Sequence, residues 1–112
     1  FLADFLPLVE ARVRQHGFEP NLGMHLDDGR CLYAYVALMY DRDVEGEDAR
    51  AMACHDDVLA MLLAAGCHPF RLGLPAMDRL PTPDDATNQV LGGLKRLLDP
   101  ADVLAPGRYN FR

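Results

Sequence analysis

Two arginines are the residues of this sequence with the clearest capacity for chemistry. Arg71 follows an aromatic residue in His68-Pro69-Phe70-Arg71, and Arg108 ends the run Leu104-Ala105-Pro106-Gly107-Arg108. A guanidinium group keeps its charge near neutral pH, and its forked donors match a carboxylate, a phenolate or the electron-rich edge of a heterocycle. Taken alone, each arginine would be assigned to a surface ion pair or a solvated tail, because most arginines are exposed.

The histidines and cysteines form no recognised catalytic or metal-binding pattern. Cys54-His55 and Cys67-His68 invite a zinc interpretation, but adjacent ligands match no common zinc spacing. His16 and His25 are single histidines of the kind found on a surface or lining a pocket. No glycine-rich phosphate loop, nucleophile elbow or H-E-x-x-H motif is present in the sequence. We therefore expect no metal site, and three reduced cysteines.

Length and charge exclude several classes of protein. The 112 residues suffice for one small domain, and the net charge of −6 repels nucleic-acid backbones. The apolar segment 1–13 is interrupted by charges and matches neither a membrane span nor a signal peptide. We expect a cytoplasmic protein that contacts neither nucleic acid nor membrane. The start at Phe1 suggests a piece cut from a longer polypeptide.

The hydrophobic pattern predicts an α+β fold in which helices pack on a mostly antiparallel sheet. Segment 31–40 has apolar residues on both faces, which favours a central strand covered on both sides. Asp27-Asp28-Gly29 before it is typical of a hairpin turn. The expected helices are 1–15, 45–65 and 82–98, the strands are 21–26, 31–40 and 69–74, and the tail is 99–112.

The last two helices carry apolar stripes that we expect to be buried. Thr82-Pro83-Asp84-Asp85 supplies an N-cap, a first-turn proline and a capping-box acid for the final helix. The predicted stripes are Met52, Val58, Leu59, Leu62 and Leu63 in the second helix, and Val90, Leu91, Leu94, Leu97 and Leu98 in the third.

The end of the sequence carries a family resemblance. The run Asp99-Pro100-Ala101-Asp102-Val103-Leu104-Ala105-Pro106-Gly107-Arg108 resembles the terminal signature D-P-x-x-I-L-A-P-G-R/K of the vanillyl-alcohol oxidase and p-cresol methylhydroxylase family of flavoproteins. Tyr40-Asp41-Arg42, and Phe70-Arg71 ahead of Met77-Asp78, follow in that family's order and spacing. The resemblance covers nearly the whole chain and implies a ferredoxin-like fold, the carboxy-terminal part of an FAD-linked oxidase cap domain.

The resemblance also implies a cofactor and a set of site residues. FAD would be bound mainly by a domain upstream of this chain, with Arg71 near flavin N1–C2=O and the substrate oxygen, and Arg108 near the pyrimidine edge. Arg71 is the expected catalytic residue, and Phe70, Tyr33 and Met24 are expected to bind substrate. Phe70 departs from the family's tyrosine, and with Ala37 the pocket becomes more apolar.

The expected function is oxidation of a phenol or aromatic alcohol by hydride transfer to FAD, as in the 4-cresol dehydrogenases. Two alternatives remain: a flavoenzyme of the same superfamily that acts on a 2-hydroxy acid or another alcohol, in which Arg71 would bind a carboxylate, and an α+β binding module without chemistry. Residues 1–98 would belong to the cap domain and 99–112 to a tail that reaches the FAD site. The 112-residue piece alone is expected to be inactive.

The expected partners follow from that assignment. They are the FAD-binding domain of the same polypeptide, a small aromatic substrate, and either a second copy or an electron-accepting cytochrome. The faces that would meet the FAD-binding domain should expose an apolar patch, so self-association of the isolated piece is also expected.

Overall fold

The chain folds into helices and one antiparallel hairpin, in a computed structural model that describes residues 2–79 and 85–108. The two-stranded antiparallel sheet and the helices confirm the α+β prediction. Contacts divide the chain into a first unit, Phe1–Phe70, and a second unit, Arg71–Arg112. The elements are α1 (Leu2–Gln15), β1 (Asn21–Asp27), β2 (Cys31–Ala37), α2 (Glu47–Ala64), a 3-10 helix (Leu74–Arg79) and α3 (Asp85–Leu98).

The core of the first unit lies between α1 and α2. Its apolar residues recur at three- and four-residue intervals, which places them on one face of each helix. Leu22 and Val36, a cross-strand pair of the hairpin, pack against this core at their end of the sheet. The buried members are Val9, Val13, Phe18, Ala51, Cys54 and Val58.

Both helices of the first unit end where the glycines predict. Gly17 and Gly66 adopt positive φ angles of 78° each, a conformation that costs glycine little. The amide of Phe18 then donates to the carbonyl of Val13 at 3.2 Å, and the amide of Cys67 donates to Leu62 at 2.9 Å. These bonds satisfy carbonyls that the helix termini would otherwise leave unpaired.

The hairpin turns at Asp28 and Gly29, as the sequence predicts. Both residues have positive φ, 49° and 66°, which is the geometry of a type I′ turn. The Arg30 amide closes the turn on the Asp27 carbonyl at 3.1 Å. Three residues, 28–30, lie between Asp27 and its partner Cys31, so that Met24 pairs with Ala34 and His25 pairs with Tyr33.

The predictions of a covered central strand and of a third strand were wrong. Among the described residues β2 pairs with β1 alone, ends at Ala37 and is largely exposed. Segment 69–74 forms bends that lead into the 3-10 helix. Pro69 and Pro75 lack the amide that a sheet ladder needs, and Gly73 weakens a strand, so this segment does not form a second partner for β2.

One carboxylate connects α1 with α2. Asp57 of α2 accepts a hydrogen bond from the Arg12 guanidinium at 2.8 Å, and its other oxygen lies 2.9 Å from Nε2 of His16. The hydrogen bond with His16 is the largest cause that lowers the pKa of Asp57 below its ordinary value of 3.8, and the hydrogen bond with Arg12 is the second. Ionised Asp57 therefore stabilises the pairing of the two helices.

Replacing Asp57 with asparagine should remove a pH-dependent part of the stability. Because its folded-state pKa is lowered, the carboxylate stabilises the protein above the unfolded value of 3.8, and this contribution is lost as pH falls through the lower folded value. Urea unfolding at neutral pH and at about pH 3 measures the difference. We expect a smaller pH dependence in Asp57→Asn than in the wild type; equal pH dependence would contradict the role given to Asp57.

The second unit holds the 3-10 helix, α3 and the tail that follows. Helix α3 confirms the third predicted helix from Asp85 onward, while its predicted cap at 82–84 lies outside the described residues. Its predicted buried stripe was wrong: Val90, Leu94, Leu97 and Leu98 are between 48% and 77% exposed. In the second helix, too, Met52 of the predicted stripe is exposed, and Ala51 and Cys54 are buried instead.

No helix within 2–79 or 85–108 has the length and hydropathy needed to cross a membrane.

The exposed leucines of α3 should make the isolated chain bind apolar dyes. Aliphatic side chains at 90, 94, 97 and 98 fall on one face of the helix, and such a patch favours association. We expect fluorescence with an apolar dye and association at high concentration, both reduced by the double change Leu94→Gln and Leu97→Gln. The matched control is Leu26→Gln on the hairpin. A monomer without dye binding would contradict this expectation.

Candidate functional site

Two of the predicted substrate-binding residues meet in the first unit. The rings of Tyr33 and Phe70 lie edge to face, with centroids 4.9 Å apart and planes inclined at 66°. Phe70 remains 64% exposed, so its ring is accessible to a ligand in the described structure. Edge-to-face pairs are a favoured aromatic arrangement. The geometry therefore supports Tyr33 and Phe70 as one aromatic surface.

Met24 does not belong to that surface. It pairs with Ala34 across the hairpin, whereas Tyr33 pairs with His25. Directly paired residues share a face of the sheet, and neighbours along a strand point to opposite faces. Met24 therefore lies on the face of the hairpin opposite Tyr33. That Met24 binds substrate stays a prediction.

The face of the hairpin that carries Tyr33, here called the tyrosine face, is formed by four cross-strand pairs: Asn21 with Ala37, Gly23 with Tyr35, His25 with Tyr33, and Asp27 with Cys31. Tyr35 packs beside Gly23, where a Cβ atom would lie 3.8 Å from the tyrosine ring. A hydrogen bond with Cys31, above all, raises the pKa of Tyr33 above its ordinary value of 10.0. The Tyr33 phenol therefore keeps its proton at neutral pH and can act as a hydrogen-bond donor.

Sequence reasoning missed the partners of Tyr33, because the turn residues alone do not give the register. A two-residue turn at Asp28 and Gly29 would pair 27 with 30, and hence Met24 with Tyr33. In the structure three residues, 28–30, separate Asp27 from its partner Cys31. The one extra residue places His25 beside Tyr33 and puts Met24 on the opposite face.

The predicted arginines both belong to the second unit. Arg71 opens that unit in a bend instead of on a strand, and Arg108 lies in the turn that ends the described tail. Both side chains are exposed. Exposed, permanently charged guanidinium groups can bind an anionic ligand without the penalty of a buried unpaired charge.

The tail that carries Arg108 is not a helix, as predicted, but it is ordered by hydrogen bonds. The Asp99 carboxylate accepts the amides of Val103 at 3.0 Å and Leu104 at 2.9 Å, and it is paired with the ammonium group of Lys95. The hydrogen bond from Lys95 is the largest cause that lowers the pKa of Asp99 below 3.8. Tyr109, next in sequence after Arg108, lies outside the described residues.

A comparison with characterised proteins relates the chain to an enzyme. It is 48% identical over 107 residues to the 1'-carboxy-chondrochloren decarboxylase of Chondromyces crocatus. The alignment covers 96% of this chain and 20% of that enzyme, so the chain spans about a fifth of its relative's length. No family model matches the sequence. No solved structure matches it either.

This similarity corrects the predicted activity. The relative is named as a decarboxylase, so FAD-dependent oxidation of a phenol or aromatic alcohol was the wrong prediction. The descriptions of the chain as part of an FAD oxidoreductase and as 4-cresol dehydrogenase-like were wrong for the same reason. The expectation of an enzyme agrees with the comparison, because the relative is one. The physical reason for the error is that an arginine suited to a phenolate suits a carboxylate equally well. The flavoprotein resemblance, the domain boundary at 98–99 and the expected partners stay predictions.

Proposed function

We propose that this chain is part of a decarboxylase that releases CO2 from a small carboxylic acid. The similarity to 1'-carboxy-chondrochloren decarboxylase carries the proposal, because 48% identity extends over 96% of the chain. The name of that relative describes a substrate with a carboxyl group. The sequence of this chain offers exposed cations suited to such a group, Arg71 and Arg108.

The reaction sets clear requirements on the protein. The bond between the carboxylate carbon and its neighbour breaks, CO2 leaves, and the electron pair that remains on the neighbouring carbon is taken up by a proton. The carboxylate must first be held in a defined orientation. A guanidinium group does this through two parallel hydrogen bonds, and we assign this role to Arg71.

Release of CO2 by the complete polypeptide tests the proposal. Aromatic and aliphatic acids labelled at the carboxyl carbon are incubated with the protein, and labelled CO2 and the mass of the product are measured. We expect labelled CO2 together with a product in which hydrogen replaces the carboxyl group. Heat-denatured protein serves as the control. A product that keeps its carboxyl group while the protein turns over would reject decarboxylation.

FAD is a separate part of the proposal. The cationic side chains of Arg71 and Arg108 suit the pyrimidine edge of a flavin, and a bound flavin would supply an electron-poor ring that stabilises the electron pair until the proton arrives, with no net oxidation of the acid. The flavin would be held mainly by sequence upstream of this chain. The absorption spectrum of the complete polypeptide, and of the ligand released on denaturation, measures its presence. Full CO2 release by flavin-free protein would reject a role for the cofactor.

The aromatic surface of Tyr33 and Phe70 is proposed to bind a flat apolar ligand. The exposed ring of Phe70 offers a stacking surface, and the Tyr33 ring lies edge-on beside it. Aromatic substrates remain the expected class for that reason.

A further inference from the structure

The turn after α3 is organised around one buried carboxylate. Asp99 is only 6% exposed, although its neighbours along the tail are exposed. Both of its oxygens are used: Oδ1 accepts the Val103 amide, and Oδ2 accepts the Leu104 amide and the Lys95 ammonium group. A buried carboxylate with this many partners holds the backbone that donates to it in a defined position.

Lys95, in the last turn of α3, hydrogen-bonds to the same turn. Its ammonium group also donates to the carbonyl of Leu104 at 2.7 Å and lies 3.0 Å from Oδ1 of Asp102. Leu104 is therefore held through both its amide and its carbonyl. The pair Lys95–Asp99 fixes the path of the chain five residues beyond the carboxylate.

Tight turns at residues with positive φ angles connect this ordered segment to Arg108. Asp102 and Ala105 adopt positive φ angles of 50° and 48°, and Gly107 has a φ of 75°. The Arg108 amide donates to the Ala105 carbonyl at 3.0 Å. Left-handed conformations at residues other than glycine cost energy, so surrounding contacts must hold them. The hydrogen bonds of Asp99 supply such contacts directly before Ala105.

We propose that Lys95 and Asp99 are positioning residues for Arg108, which they hold ready to bind an anionic ligand at the end of the tail. The anion is the carboxylate of the acid in the decarboxylation proposed above, which Arg108 would bind together with Arg71, and this part of the inference rests on that function. The buried pair acts through Arg108 and does not itself touch the ligand. An arginine whose backbone is already fixed loses less conformational freedom on binding.

A double-mutant cycle on CO2 release by the complete polypeptide tests the coupling. The variants are Asp99→Asn, Arg108→Ala and the two combined, with Asp43→Asn in the loop before α2 as the matched control. We expect Asp99→Asn to lower kcat/KM by about tenfold or more, because small displacements of a binding group are costly. In the Arg108→Ala background the same change should have little further effect. Equal losses in both backgrounds would overturn the proposal.

A second measurement does not depend on activity. Trypsin cleaves after Arg108, and we expect faster cleavage there, with faster hydrogen exchange of the Val103 and Leu104 amides, in Asp99→Asn than in Asp43→Asn. If no acid is decarboxylated, the proposed function fails, and these two rates alone decide whether the pair orders the tail. Unchanged rates would overturn the positioning role.

Lys95→Met is a second variant that tests the same pair if Asp99→Asn fails to fold. It removes only the ammonium group and keeps the hydrogen bonds from the Val103 and Leu104 amides to Asp99. The fold should therefore persist, which circular dichroism measures. We expect an intermediate loss of kcat/KM that again depends on Arg108. An effect of Lys95→Met that is independent of Arg108 would count against the proposal.

Discussion

Replacing Arg71 with alanine is expected to lower kcat/KM for CO2 release by about 10²–10³-fold, the size of effect seen when a fixed donor is removed from a reacting group. The guanidinium group holds the carboxylate by two charge-assisted hydrogen bonds, and alanine leaves the acid without either. Steady-state release of labelled CO2 by the complete polypeptide measures the loss.

Two further variants separate charge from geometry at Arg71. Arg71→Lys keeps a positive charge but lacks the planar fork, so we expect an intermediate loss that appears largely in KM. Arg96→Ala, an exposed arginine of α3, is the matched control and should retain full activity. If Arg71→Ala behaves like Arg96→Ala, Arg71 does not bind the carboxylate.

Local chemistry allowed the turns and helix ends to be predicted from sequence. Gly17 and Gly66 end their helices because glycine alone reaches a φ of 78° without strain. Asp28 and Gly29 form the hairpin turn for a related reason. Each of these features depends on a few consecutive residues, and no distant neighbour is needed to specify them.

The features that sequence reasoning missed depend on neighbours. An apolar run such as 31–40 indicates that its side chains favour burial, but it does not indicate which other elements of the fold would bury them. Segment 69–74 has a strand-like composition, yet Pro69 at its start and Pro75 directly after it lack the amides that a further strand beside β2 would need. In the same way, the apolar stripe of α3 was correctly recognised as one face of a helix, and its exposure depends on what packs there.

In the candidate site, too, some features follow from local sequence and others depend on distant residues. The edge-to-face contact of Tyr33 with Phe70 joins residues 37 positions apart, but their selection came from a family resemblance and not from geometry. The separation of Met24 from Tyr33 depends on the one extra residue between Asp27 and its partner Cys31, which the turn residues alone do not specify. The activity could not be derived either, because an exposed arginine binds several kinds of anion, and similar scaffolds host different chemistries.

The largest effect on stability is expected in the small core between α1 and α2, where Val13 is 0% exposed. Val13→Ala removes two buried methyl groups and leaves a cavity among Val9, Cys54 and their neighbours. We expect a loss of about 2 kcal/mol in the free energy of unfolding, measured by urea titration with far-UV circular dichroism. Leu8→Ala, one turn away and 59% exposed, is the control and should change stability by less than about 0.5 kcal/mol. Since small domains are only marginally stable, the first change removes a substantial share of the total, and comparable losses in the two variants would show that α1 does not bury the face assigned to it.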